Sequence, residues 1–96
     1  MNRITNDIKR KDFAAHLSSF VTEVDNTIAA KANEMRNVNQ PKSNQQISSI
    51  NLLKRLKFSV KMMHDWVNGT TDSIWRDRRD EIVAKFKSYN RSRQTI

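Results

Sequence analysis

A chain of 96 residues with 18 Lys and Arg against 10 Asp and Glu carries a net charge of +8, and its pI is about 10.3. One Gly, one Pro and no Cys argue against tight-turned sheets and exclude disulfides and thiolate metal sites. The length gives one domain, residues 1–96, and a hydrophobic content of 36% gives it a thin core.

Residues 1–11 hold Arg3, Lys9, Arg10 and Lys11 with only Ile4 and Ile8 to bury. They read as a basic arm or a frayed start. The polar opening MNRITNDIKRKD lacks the apolar stretch of a signal peptide, and no run approaches the roughly 18 apolar residues of a membrane span. A cytoplasmic protein without membrane contact is expected.

A first helix is predicted over about 6–36. Phe13, Leu17, Phe20, Val21, Val24 and Ile28 recur on one face, and Ala14, Ala15, Ala29, Ala30 and Ala32 favour the helix by propensity. The stretch NVNQPKSNQQ, residues 37–46, offers nothing to bury, and Pro41 disfavours helix at Gln40. It reads as a linker loop.

The central helix is predicted over about 47–68. Ile50, Leu53, Leu56, Val60, Met63 and Val67 make one apolar stripe, and Phe58, Met62 and Trp66 a second, roughly 110–140° away. Two stripes call for two neighbouring helices, or for one neighbour and a partner molecule. Lys54, Lys57 and Lys61 fill the arc between the stripes, and no acid stands on this helix before Asp65. Such a row repels itself by a few tenths of a kcal/mol per pair, which is easiest to understand if a polyanion binds there.

Val67-Asn68-Gly69 ends this helix, and Gly69 is expected to take the left-handed conformation that closes a helix C-terminus. Thr70, Thr71 and Asp72 are good N-caps for a third helix, about 72–90. Trp75, Ile82, Phe86 and Tyr89 share its apolar stripe, flanked by Ile74 and Val83, while Arg76, Lys87 and Arg91 lie on another flank. Glu81 precedes Lys85 in the favourable order for a surface pair. Residues 91–96 read as a frayed basic tail.

Chemistry finds little to work with. His16 and His64 sit on different helices without companion ligands, and the adjacent His64 and Asp65 are not expected to face each other. Gly69, the single glycine, cannot make a phosphate-cradling loop, and no serine has a nucleophile's setting. The expectation is a non-enzyme with no catalytic residues, no metal and no cofactor.

The segment WVNGTTDSIWR, Trp66 to Arg76, resembles the turn of helix-turn-helix DNA-binding proteins. That resemblance implies a third helix entering the major groove, with Thr70 to Ser73 facing DNA, Ile74 anchoring the helix, and Arg76 and Arg79 reaching the duplex. It departs at His64, where the family has a small residue, and at Gly69, where it has an apolar one. A plain antiparallel hairpin explains the same residues.

The fold expected is all-α: a small three-helix antiparallel bundle whose second helix touches the first and third. Charge is uneven. Residues 1–36 hold six cations and five acids (+1), residues 37–96 twelve and five (+7). That footprint predicts a small nucleic-acid-binding regulator of the kind mobile elements encode, with DNA favoured over RNA and Lys54, Lys57, Lys61, Arg76, Arg79, Lys87 and Arg91 on phosphates. The alternative is a helical interaction module that inhibits or adapts a nucleic-acid enzyme or another protein through an acidic surface. Trp66 and Trp75 read first as core residues. The second reading makes Phe58, Met62 and Trp66 an interface, for a partner or for a homodimer, which the uncovered apolar surface also predicts.

Overall fold

The periodic stretches fold into three helices. A computed structural model describes residues 7–37 and 44–96, with α1 at Arg10–Asn37, α2 at Asn44–Gly69 and α3 at Asp72–Thr95. Residues 1–6 of the expected basic start and 38–43 of the expected linker lie outside the described residues. No strand occurs among those described. α2 packs chiefly on α1 and more sparingly on α3, as a central helix should.

Twelve apolar side chains form the core: Phe13, Ala14, Leu17, Phe20 and Val24 from α1, Leu53, Val60 and Val67 from α2, and Trp75, Ile82, Val83 and Phe86 from α3. α3 reaches α1 through large rings. Phe13 tilts against Trp75 with centroids 5.0 Å apart and meets Phe86 edge-on at 5.6 Å, while Phe20 meets Phe86 edge-on at 5.3 Å. Each such pair contributes about 0.5–1.5 kcal/mol beyond area burial.

The bundle is a rod of 54 × 22 × 20 Å. A 28-residue α1 spans about 42 Å, and α3 does not follow it to the end. Arg93, close to the C-terminus, bonds Glu23 in the middle of α1 at 2.6 Å. Among the side chains described, none from Asp25 to Glu34 on α1 and none from Ile47 to Leu52 on α2 is buried. The described core therefore sits where all three helices lie side by side.

Three expectations fail in physically informative ways. Gly69 is not left-handed; instead the Arg10 guanidinium donates to the carbonyls of Val67 and Asn68, both at 3.1 Å. A side chain from another helix thus satisfies the open end of α2. Second, α3 continues to Thr95 where a frayed tail was expected from residue 91. Arg93 holds it, bonding Glu23 and lying 4.8 Å from the centroid of the Phe20 ring. Third, of the two arrangements expected for the stripes of α2, one neighbour each is not found. The first stripe holds the core residues, with Leu56 and Met63 half-buried at its edge. The second is left largely exposed, with Met62 and Trp66 along a groove toward α3.

Thr71 caps α3: its backbone is extended and its hydroxyl accepts from the Ile74 amide at 3.2 Å. Removing such a cap costs about 1 kcal/mol. Asp72 in the first turn suits the positive end of the helix.

Candidate functional site

The outer face of α2 is built by subtraction. Leu53, Val60 and Val67 turn inward, so residues about half a turn away must face solvent. Phe58 is 65% exposed, Met62 59% and Trp66 36%. Lys54 and Lys61 are exposed beside them. Cations and large apolar side chains therefore interleave on one open surface.

Lys57 differs from its two neighbours. It is partly buried, and its Nζ lies 2.6 Å from Asp25 Oδ1 of α1. No acid of α2 stands before Asp65, but α1 supplies one for the middle member of the row. Repulsion along the row is relieved there, and Lys57 serves the α1–α2 seam more than a ligand.

The cations of α3 lie elsewhere. Arg76, Lys87 and Arg91 are exposed on a flank that runs away from α2. Arg79 is turned inward, with 27% of its side chain exposed, and lines a cleft between the starts of α1 and α3. The seven cations singled out by sequence thus do not form one surface: Lys54 and Lys61 lie on the outer face of α2, Lys57 in the α1–α2 seam, Arg79 in the cleft, and Arg76, Lys87 and Arg91 exposed on α3. Arg10 and Arg93 have roles that periodicity could not reveal, because their partners are 62 and 70 residues away in sequence.

A groove of about 310 Å³ runs between α2 and α3, with Met62, Met63 and Trp66 on one wall and Arg78, Lys85 and Tyr89 on the other. The Arg78 guanidinium lies 5.4 Å from the centroid of the Trp66 ring and 3.5 Å from Glu81, so Glu81 pairs with Arg78 where Lys85 was expected. Trp66 has an occupied face, whereas among the described residues no such cation lies over Phe58. The two tryptophans divide: Trp75 is core, with its indole donating to the Ile8 carbonyl at 3.2 Å, and Trp66 is surface.

The groove walls also decide the helix-turn-helix resemblance. Trp66 faces Arg78 and Ser59 lies across from Tyr89, so α3 returns antiparallel along α2 and does not cross it. Ile74, the implied anchor, is 47% exposed, and Asp72 is held by Arg10 Nε at 2.7 Å. Asp72 is tied to α1 although its side chain stays exposed, and the antiparallel hairpin accounts for the segment.

The titration of Asp72 is displaced. The Arg10 hydrogen bond and charge hold its carboxyl below the usual value of 3.8, with smaller contributions from Lys11 and Arg76 opposing a little desolvation. His64 Nδ1 and Asp65 Oδ1 lie 3.3 Å apart, closer than adjacent helix positions were expected to bring them. Among the described residues, no three of His, Cys, Asp and Glu gather as a metal-binding group, and no helix is long and apolar enough to cross a membrane. No protein-family model, curated protein or solved structure matches the chain.

Proposed function

We propose that this protein is a regulator that binds single-stranded nucleic acid, DNA in the first instance, on the outer face of α2. One observation carries the reading: Phe58, with 65% of its surface open to solvent, stands between the exposed Lys54 and Lys61 on the same face of α2. An aromatic ring offers any base a stacking surface, and cations one turn away on either side suit the flanking phosphates. The net charge of +8 steers a polyanion toward the chain from a distance. With α3 lying back along α2, duplex reading by a helix in the major groove has no support, and stacking on α2 takes its place. Arg76, Lys87 and Arg91 widen the positive field without joining the platform.

Fluorescence anisotropy of a labelled oligo-dT strand tests this. Affinity should fall log-linearly with salt, with a slope of about −0.7 per phosphate contacted, and Phe58→Ala should weaken binding by about 1–3 kcal/mol. A second reading, a module that inhibits or adapts another protein, is favoured by the groove holding Met62 and Trp66, because Met and Trp suit adaptable apolar interfaces. It predicts that oligo-dT binds with no dependence on Phe58, and that Trp66→Ala abolishes capture of a protein partner in a manner nearly independent of salt.

A further inference from the structure

The cleft between the starts of α1 and α3 contains charge that the bundle itself leaves over. It exists because α1 and α3 run parallel, which sets Asp7–Asp12 beside Asp72–Arg79. Trp75 fixes the approach to α1 by donating to the Ile8 carbonyl at 3.2 Å. The space enclosed is about 490 Å³, and its lining includes Lys9, Arg10, Lys11, Arg76 and Arg79 against Asp7, Asp12 and Asp72.

Five cations against three acids become four against two once Arg10 and Asp72, joined at 2.7 Å, are set aside. Arg10 is committed to the bundle, with its Nε on Asp72 and its Nη1 on the Val67 and Asn68 carbonyls. Arg79 is different. Among the described residues its buried Nε has no hydrogen-bond partner, and the Asp80 carboxylate stands 4.0 Å away, beyond hydrogen-bond reach. A buried donor without an acceptor is destabilising, and a guanidinium fork matches the geometry of an oxyanion. The depressed titration of Asp72 is set mainly by Arg10, with Lys11 and Arg76 adding smaller contributions.

The geometry points to a phosphate-binding site in this cleft, with Arg79 as the anchoring donor and Arg76, Lys9 and Lys11 supplying charge around it. Phosphate is chosen over a carboxylate because cations stand on both α1 and α3, and an anion with four oxygens can answer both sides at once. The site is separate from the α2 platform and does not depend on the nucleic-acid reading. A free phosphate group and a backbone phosphate share this chemistry.

The experiment is a heteronuclear NMR titration of the full chain with sodium phosphate at constant ionic strength. It follows the Arg79 Nε–H and Trp75 indole N–H, with the Trp66 indole as internal control. Saturable shifts at Arg79 and Trp75, absent from Trp66, are expected. Arg79→Gln should weaken the binding by roughly tenfold or more, and Arg91→Gln on the same helix should leave it unchanged. Should Arg79→Gln perturb the fold, the exposed pair Lys9→Gln and Lys11→Gln supplies the same test. Shifts that never saturate, shifts equal at both tryptophans, or wild-type binding by both variants would overturn the site. An oligo-dT arm separates the sources: shifts at Arg79 that phosphate competes away mark a backbone phosphate, and none there, with phosphate still binding, marks a free one. Oligo-dT binding that survives Arg79→Gln but fails on Phe58→Ala keeps the α2 reading independent of this one.

Discussion

The seam between α1 and α3 and the outer face of α2 use the same residue types to opposite ends. In the seam, Phe13, Phe20, Trp75 and Phe86 interlock out of solvent, and two arginines beside them are pinned by acids, Arg10 to Asp72 and Arg93 to Glu23. On α2, Phe58, Met62 and Trp66 are open, and Lys54 and Lys61 stand beside them exposed. The difference teaches that the same rings and cations serve packing where α1 and α3 close on each other and stand open where α2 faces solvent, with Trp66, under the Glu81-paired Arg78, at the boundary.

The comparison is broken most severely by truncating one ring on each side. Phe13→Ala should cost about 3–5 kcal/mol, because the ring is fully buried against Trp75 and Phe86. Phe58→Ala should change stability by no more than about 0.5 kcal/mol. Chemical denaturation of the two variants measures both, and similar losses would erase the distinction between seam and face.

Arg10→Ala comes next. Losing the donor that closes α2 should cost about 1–2 kcal/mol in the same denaturation assay. It should also remove a pH dependence. Asp72 titrates below its ordinary value in the folded protein, so its pairing stabilises fully above the unfolded pKa and is lost as pH falls through the lower folded one. Thermal melts across the acid range, below about pH 4, should show that loss in the wild type and not in Arg10→Ala.

The smallest effect has the opposite sign. Gly69 has no left-handed backbone, and a Cβ added there would meet nothing within 4 Å. Gly69→Ala should raise stability by about 0.4–1 kcal/mol, visible as a higher melting temperature. A lower one would restore the conformational role that the sequence alone suggested.

Much of the fold was legible because periodicity reports burial directly. Phe13, Leu17, Phe20, Val24, Leu53, Val60, Val67, Trp75, Ile82 and Phe86 fell on the predicted faces and are core. The turn at Asn68-Gly69 and the capping residue Thr71 were legible for the same local reason. What could not be read was long-range: which helix answers which cation. Lys57 looked like one of three equivalent lysines until Asp25 appeared opposite it, and nothing in the spacing of Arg10 announces that it closes α2. The second stripe of α2 was visible as apolar, yet its exposure depended on where α1 and α3 chose to lie.

The central claim is that the outer face of α2 binds nucleic acid, and one comparison tests it most directly. Labelled oligo-dT is titrated at low salt, about 50 mM, against the wild type and against the variant Lys54→Glu, Phe58→Ala, Lys61→Glu. Lys57 is left in place because a glutamate there would face Asp25. The account predicts unchanged helicity, a melting temperature close to wild type, and loss of binding by about a hundredfold or more from one lost stacking contact and two reversed charges. Wild-type affinity in that variant, with its fold intact, would contradict it.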